Sequence, residues 1–315
     1  MPPVTRLPSG VLLAALLLPL ALSCSRGSPK AVEKSAGPDP QSPARDSNAA
    51  RLNRADSYFL AGRYAEAMAE YDAVLQQSPS PREAHEALAG RGVVHVQRQA
   101  YAEAVADFSE ALRLHPEAAV YVLRAEAYSK LADWARVRAD CDEALRLDPT
   151  NARAFLYRGL SHAAERDFDG ALADYAEAIR LRPGDAAAHL NRAVCYENKG
   201  LYGRAAESYR EGVRLAPDES AHHRGLAWLL ATCREADVRD GSAAVRHDGR
   251  ACELSGWRDG WDLEALAAAY AEGGQFEKAV ELQKKVLALP DLRKGLREVA
   301  RERLAAYEQG RPWRE

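Results

Sequence analysis

The hydrophobic and polar positions of residues 152–183 follow two short helical periods separated by a tight turn. One side of each predicted helix carries the large and small residues that would pack together: Phe155, Arg158, Gly159 and His162 in the first, and Phe168, Ala171, Tyr175, Ala178 and Ile179 in the second. Pro183 ends the unit, because proline cannot continue a helix. A hairpin this small cannot bury its apolar side alone, so the pattern predicts neighbouring copies of it.

The same pattern recurs along the chain. The aromatic residues that open successive second helices are Tyr64, Tyr101, Trp134, Phe168 and Tyr202, at intervals of 37, 33, 34 and 34 residues. These intervals predict five repeats over residues 48–217. The next matching aromatic is Phe276, which leaves room for a degenerate sixth repeat over 218–258 and a clear seventh over 259–290. In the sixth repeat, helices are expected at about 220–233 and 243–254.

This pattern resembles the tetratricopeptide (TPR) repeat, in which a small residue and an aromatic are followed by alanine, a second aromatic and a closing proline. The 34-residue period matches that family. The resemblance implies an all-α fold: a right-handed superhelical solenoid of about seven helix-turn-helix repeats. Residues 291–308 are expected to form a C-terminal capping helix, since such arrays must cover their last apolar surface. The apolar side of that helix would carry Leu296, Val299, Leu304 and Tyr307, and 309–315 would be an exposed tail.

The first residues indicate export. Arg6 precedes a 12-residue apolar run at 11–22, too short to span a bilayer comfortably and typical of a signal peptide. The run ends in Ala-Leu-Ser-Cys, which resembles the lipobox of bacterial lipoproteins. That resemblance implies a signal peptide over 1–23, a lipid on Cys24 and, in a Gram-negative host, the periplasmic face of the outer membrane, since Ser25 follows. An ordinary secretory signal with an incidental cysteine is the alternative. The proline-rich stretch 24–47 is expected to be a disordered tether.

The charge and composition of the chain argue against one class of partner. The chain has 28% charged residues and a formal net charge of −3, so the two signs are mixed. Nucleic-acid binding would need a clustered basic face, and the composition therefore argues against it.

An arginine recurs at one repeat position, with an acid or serine sixteen residues later. The pairs are Arg54 and Glu70, Arg91 and Asp107, Arg124 and Asp140, Arg158 and Asp174, and Arg192 and Ser208. A bridge between the two helices of each repeat explains this spacing better than a basic ladder for an acidic partner.

By resemblance, first helices line the inner face of the solenoid, and this gives a list of residues for a protein-binding groove. The predicted groove residues are Leu52, Asn53, Phe59, Val93, Val96, Leu123, Leu156, Tyr157, Leu160, Leu190, Asn191 and Val194. The basic and amide side chains of TPR domains that clamp a carboxylate are replaced here, for example by Asp56 and Gly90. A partner's peptide or helix held through apolar anchors is therefore expected.

Catalytic and metal sites are not indicated. The eight histidines show no metal-ligand spacing, and the sequence has neither a phosphate loop nor a nucleophile–base motif. We expect no enzyme activity, metal or cofactor. Cys233 and Cys252 lie on the two predicted helices of repeat 6, where either a disulfide or two packed thiols is consistent with the pattern.

These features together predict a non-enzymatic interaction scaffold, tethered to the bacterial cell envelope. Two alternatives stay open at this point: a self-associating structural component of an envelope assembly, and a small-ligand binder that uses the atypical repeat 6 with Trp257 and Trp261.

Overall fold

Helices make up all of the regular structure in the part of the chain that is described. The computed structural model describes residues 47–257, 259–289 and 294–314, with the side chains of 294–296 left aside, and these residues form fifteen α-helices and no strand. The predicted signal peptide, the lipidation site Cys24 and the tether up to residue 46 lie outside the described residues. The described chain divides into two compact units, residues 47–136 and 137–314, each of which is treated by itself.

The N-terminal unit (47–136) is built from helical hairpins. Its helices are α1 (Asn48–Leu60), α2 (Tyr64–Gln76), α3 (Pro81–Gln97), α4 (Tyr101–Leu114) and α5 (Ala118–Lys130), and the boundary with the next unit falls after Arg136 within α6 (Trp134–Leu147). The fully buried rings of Tyr71 and Phe108 lie in a single apolar core. The first helices α1, α3 and α5 contact one another along one side of the unit.

The C-terminal unit (137–314) continues the hairpins. Its further helices are α7 (Ala152–Ala164), α8 (Phe168–Leu181), α9 (Ala186–Asn198), α10 (Tyr202–Leu215), α11 (Ser220–Thr232), α12 (Gly241–Ser255), α13 (Gly260–Glu272), α14 (Phe276–Ala288) and α15 (Lys294–Glu308). The first helices adjoin here too, α7 with α9 and α11 with α13. We call the surface formed by first helices the first-helix face: α1, α3 and α5 in one unit, and α7, α9, α11 and α13 in the other.

Local sequence sets the helix starts and the turns. At the start of α3, Ser80 and Glu83 form a capping box, in which each side chain accepts a hydrogen bond from the other residue's backbone N–H. The turns inside most of the hairpins need one residue with a positive φ. Gly200 meets this need at +71° without a steric cost, whereas Ala132 and Arg166 adopt +57° and +65° with a side chain in place.

The last helix, α15, packs against α14, and Gln283 Nε2 donates a hydrogen bond to Ala300 O at 3.1 Å. Its buried side differs from the prediction. Ala300, Arg303 and Tyr307 are buried, whereas Val299 and Leu304 are half-buried. The prediction was right for Tyr307 and one position off at Val299 and Leu304. Arg303 is buried in place of Leu304 because it forms an ion pair with Glu264, which an apolar pattern cannot reveal. No helix in 47–257, 259–289 or 294–314 has the length and apolar character needed to cross a membrane.

Candidate protein-interaction surface

The two helices of a hairpin are held together by an aromatic ring that lies against a glycine. In the hairpin α7–α8, a Cβ atom on Gly159 would lie 2.7 Å from Tyr175 Cε1, closer than real contacts allow. The same arrangement joins Gly92 to Phe108 in α3 and α4. Because Tyr175 and Phe108 are fully buried, this contact fixes how close the first helix lies to the second.

Two arginines, Arg91 on α3 and Arg158 on α7, each tie a first helix to the second helices on either side of it. Arg91 donates from Nε and Nη2 to the two carboxylate oxygens of Asp107, at 2.8 and 2.7 Å, and from Nη1 to Asp72 at 2.6 Å. Arg158 repeats this geometry with Asp174 and with Asp142 of the preceding repeat. Such forked, charge-assisted hydrogen bonds are stronger and more directional than a single ion pair.

The arginines at the same repeat position in the other hairpins also bind side chains of second helices. Arg54 pairs with Glu70 at 3.0 Å, and Arg192 Nε donates to Ser208 Oγ at 3.2 Å. Arg124 donates to Ser109, and its predicted partner Asp140 belongs to the other unit, so that pairing stays a prediction. These cations are therefore engaged within the hairpins and do not form a basic ladder.

For Arg91, Arg124 and Arg158, the acceptor in the preceding repeat was missed from the sequence. Asp72, Ser109 and Asp142 each lie two residues after the acid of the sixteen-residue pair, so a recurring polar residue at that position was the available signal.

The predicted groove residues divide into an interior set and an accessible set. The buried members are Leu52, Phe59, Val93, Val96, Leu123, Leu156, Tyr157, Leu160, Leu190 and Asn191. Asn53 is exposed and Val194 is half-buried. Five of the buried residues belong to the core of the N-terminal unit. A partner on this face can therefore reach Asn53 and Val194 directly, and the binding role of the whole set stays a prediction.

Polar side chains surround these accessible positions. Asp56 is half-buried on α1 and accepts a hydrogen bond from Tyr71 Oη at 2.7 Å. Asn198 is half-buried on α9, where its Nδ2 donates to Val194 O at 2.9 Å. The accessible part of the first-helix face thus mixes amide, acidic and apolar groups.

A buried histidine links the last two hairpins of the N-terminal unit. Nδ1 of His85 lies 2.9 Å from Ala111 O, and Nε2 lies 3.0 Å from Glu117 Oε2. The hydrogen bond with Glu117 raises the pKa of His85 above its ordinary value and lowers the pKa of Glu117. The protonated imidazole donates to both oxygens, so this contact is strongest when His85 is charged.

A cluster of acidic side chains that the sequence did not reveal lies where repeats 6 and 7 meet. Arg224 Nη1 on α11 donates to Asp259 at 2.9 Å and to Asp262 at 2.8 Å. Asp248 on α12 is fully buried, and neither of its carboxylate oxygens has a hydrogen-bond partner among the described residues. Burial, followed by the charge of Asp262, raises the pKa of Asp248 well above its ordinary value.

The histidines, cysteines and acids of the described residues form no metal-binding cluster. Within the described ranges, no group of three or more His, Cys, Asp or Glu side chains could hold a metal ion. Cys233 and Cys252 are buried free thiols that belong to different core clusters. Their pairing as a disulfide stays a prediction.

The segment after α15 contradicts the expectation of an exposed tail. Trp313 and Arg314 are half-buried, and Arg314 pairs with Glu272 on α13 at 2.5 Å. The expectation failed because the partners lie far away in sequence: Arg314 Nη1 also donates to Ala231 O, 83 residues earlier.

Comparison with known proteins identifies the repeats. Tetratricopeptide repeat family profiles match residues 48–91, 80–119, 122–185 and 158–220, which together make up more than half of the chain. Human sperm-associated antigen 1 is 33% identical over 94 residues, a region that makes up 30% of this chain and 10% of the human protein. The chain thus spans a small part of the length of the curated relatives it matches.

Solved structures agree on the fold. The Cut9–Hcn1 hetero-tetramer of the APC/C aligns with a TM-score of 0.63 and 15% identity, covering 72% of this chain and 44% of that one. A tetratricopeptide repeat protein from Parabacteroides merdae aligns with a TM-score of 0.56 and 16% identity, covering 83% and 98%. The predicted all-α repeat fold is confirmed. TPR proteins generally mediate protein–protein interaction and are typically non-enzymatic scaffolds. On these matches, the chain belongs to the tetratricopeptide repeat family.

Proposed function

We propose that this protein is a non-enzymatic interaction scaffold, held at the bacterial cell envelope by a lipid on Cys24, that binds peptide or helix segments of partner proteins on its first-helix face. The observation that carries the proposal is the side-by-side contact of first helices: α3 with α1 and α5 in one unit, and α7 with α9 and α11 with α13 in the other. Each set of adjoining helices gives a surface that spans neighbouring repeats. An extended segment or a helix can lie across several repeats on such a surface.

The recurring arginines bind acids and serine within the protein. This supports a partner that is recognised through apolar and amide contacts and not through its charge. In the hairpins of Arg54, Arg91, Arg158 and Arg192, the guanidinium is engaged by acids or serine of the second helices. The accessible side chains on α1 and α9 include Asn53, Val194 and Asn198. A partner would therefore be held by amide hydrogen bonds and by small apolar contacts, with modest salt dependence.

The binding surface is tested with two matched substitutions. Val194 on α9 and Val213 on α10 are both half-buried and pack against the same core cluster. Val194→Glu places a charge on the first-helix face, and Val213→Glu places the same charge on a second helix. Chemical crosslinking in intact cells should capture partners with the native chain and with Val213→Glu, and lose them with Val194→Glu.

The opposite pattern would overturn the proposed surface. If Val213→Glu loses the partners and Val194→Glu keeps them, binding uses the second helices. If the captured species is the chain itself, the alternative of a self-associating array replaces the scaffold. Leu156 and Leu160 are unsuitable test positions, since both are buried and a charge there would test folding.

Envelope anchoring is tested at Cys24. Each buried methylene of an acyl chain contributes about 0.8 kcal/mol, and stable anchoring takes more than one chain. The native protein should incorporate labelled palmitate and sediment with membranes, and Cys24→Ser should do neither. Release of the native protein in soluble form, without label, would reject the anchor while leaving the interaction surface to be judged by the crosslinking.

A further inference from the structure

A short segment of this chain occupies the first-helix face of repeats 6 and 7. Gly310, with φ of +67°, ends α15, and Arg311 N donates to Ala306 O at 3.0 Å. A glycine in this conformation with such a bond is a common helix C-terminal motif that redirects the chain. Residues 311–314 then run back onto α11 and α13.

Arg314 joins the carboxyl ends of those two helices. Its Nη2 pairs with Oε2 of Glu272, the last residue of α13, at 2.5 Å, and its Nη1 donates to Ala231 O near the end of α11 at 3.3 Å. The last carbonyl groups of a helix lack intrahelical donors and carry partial negative charge. A guanidinium is therefore suited to this position, whichever chain supplies it.

Trp313 covers a buried ion pair. The guanidinium of Arg303 on α15 lies over the ring of Trp228 and over the ring of Trp313, at 4.7 and 5.5 Å from their centroids. Arg303 also pairs with Glu264 on α13 at 2.5 Å, and both side chains are only 8% exposed. The site thus presents an aromatic–cation platform on which a further aromatic ring can stack.

The fit of this segment is incomplete. The indole Nε1 of Trp313 is buried and finds no hydrogen-bond acceptor among the described residues. A buried donor without a partner weakens the contact that buries it. A competing segment that supplies the same aromatic ring and arginine, without this defect, has an advantage over the internal one.

We propose that the face formed by α11, α13 and α15 is a docking site for an extended polypeptide segment carrying an aromatic residue followed by arginine, and that residues 311–314 are its internal occupant. The site binds the aromatic ring on Arg303 and the arginine on Glu272 and Ala231 O. A partner gains access by displacing Trp313 and Arg314. This inference rests on the proposed role in protein interaction and specifies the partner's recognition sequence.

The test uses the full chain and a synthetic peptide with the sequence of residues 309–314, acetylated and amidated. The peptide should bind the double variant Trp313→Ala, Arg314→Ala at least tenfold more tightly than it binds the native chain, because the internal segment no longer competes. Arg311→Ala is the matched control. Arg311 is exposed and its side chain donates to Gln309, so this variant should behave like the native chain.

A second variant guards against loss of folding. Arg314→Ala alone keeps the stack of Trp313 on Arg303, and it should show a peptide affinity between those of the native chain and the double variant. Circular dichroism and thermal melting establish that each variant is folded. Equal affinity for native and variant chains, or no binding to folded variants, overturns the proposal.

The peptide-binding experiment and the crosslinking experiment test different surfaces, so either proposal can fail without the other. Loss of partner capture in Val194→Glu concerns α9, whereas peptide binding concerns α11 and α13. A chain that captures partners through α9 but does not bind this peptide keeps the scaffold function and loses this docking site.

Discussion

Arg158 and Asp174, sixteen residues apart in the sequence, are joined by two parallel hydrogen bonds, from Nε to Oδ2 at 2.9 Å and from Nη2 to Oδ1 at 2.8 Å. The third guanidinium nitrogen of Arg158 donates to Asp142 in the preceding repeat at 2.8 Å. Asp174 is 8% exposed, so this buried carboxylate is stabilised by its pairing with Arg158. One side chain thus connects the two helices of its own hairpin and the hairpin before it.

Removal of this bridge should lower stability measurably. Arg158→Ala leaves the buried carboxylate of Asp174 without its charged donor, and we expect a loss of about 1–3 kcal/mol in the free energy of unfolding. Urea unfolding of Arg158→Ala, Asp174→Ala and the double variant gives the coupling energy between the two residues. Arg180→Ala is the control, because the Arg180–Glu177 pair is exposed and should contribute little. A coupling energy near zero for Arg158 and Asp174 would contradict the account.

The turns inside the hairpins offer a reciprocal pair of substitutions. Ala132 has a φ of +57°, a region in which a Cβ is strained by about 1–2 kcal/mol. Ala132→Gly removes that strain but adds unfolded-state entropy, and we expect a net gain of up to about 1 kcal/mol. Gly200→Ala, at φ +71°, should cost about 1 kcal/mol. Thermal melting of the two variants checks the signs, and a lower melting temperature for Ala132→Gly would be inconsistent with this conformation.

The sequence could predict the hairpins because the evidence for them is local. The aromatics that open second helices, such as Tyr101 and Phe168, begin α4 and α8 in the structure, and the arginine–acid spacing of sixteen residues anticipated the bridge of Arg158 to Asp174. Contacts of this kind depend on helical periodicity and a constant repeat length.

The features that the sequence could not predict depend on contacts that do not follow the repeat spacing. Trp313 and Arg314 were expected to be exposed, because their partners on α11, α13 and α15 follow no repeat spacing. The buried Asp248 was missed, because a single acid in a polar stretch of a degenerate repeat has no sequence signature. Most predicted groove residues proved to be interior, because apolar residues on the first helices pack into the core of the protein and leave little of their surface for a partner.

The His85–Glu117 contact should make stability depend on pH. The folded-state pKa of His85 is raised, so its stabilising contribution is fully present below the unfolded value of about 6.5 and is lost as the pH rises through the folded pKa. The folded-state pKa of Glu117 is lowered, so its contribution is fully present above about 4.3 and is lost as the pH falls through the folded pKa. The pair therefore contributes most between about pH 4.3 and 6.5.

The measurement is an NMR titration of the His85 ring together with urea unfolding at several pH values. The native chain should give a His85 pKa above about 6.5. Glu117→Gln should lower that pKa. The free energy of unfolding of this variant should also fall less between neutral and alkaline pH than that of the native chain. An unchanged His85 pKa in Glu117→Gln would show that another group sets it.

The cysteines of the C-terminal unit should be slow to react in the folded protein. Burial raises the pKa of Cys195 to about 12, and it also raises the pKa values of Cys233 and Cys252. The thiolate is the reactive species, so a thiol reagent should label these residues only after unfolding. In a Cys24→Ser background without reductant, we expect four free thiols on unfolding. A count of two would show one disulfide, and peptide mapping would then establish whether it joins Cys233 and Cys252.

The most direct test of the scaffold function is site-specific photo-crosslinking in intact cells. A photoreactive amino acid is placed at Val194 on the first-helix face and, as the matched position, at Val213 on α10. The account predicts crosslinked products containing another protein from position 194 and none from position 213. Products from position 213 alone, or from neither position in a folded, membrane-associated chain, would contradict the claim that the first-helix face binds partners.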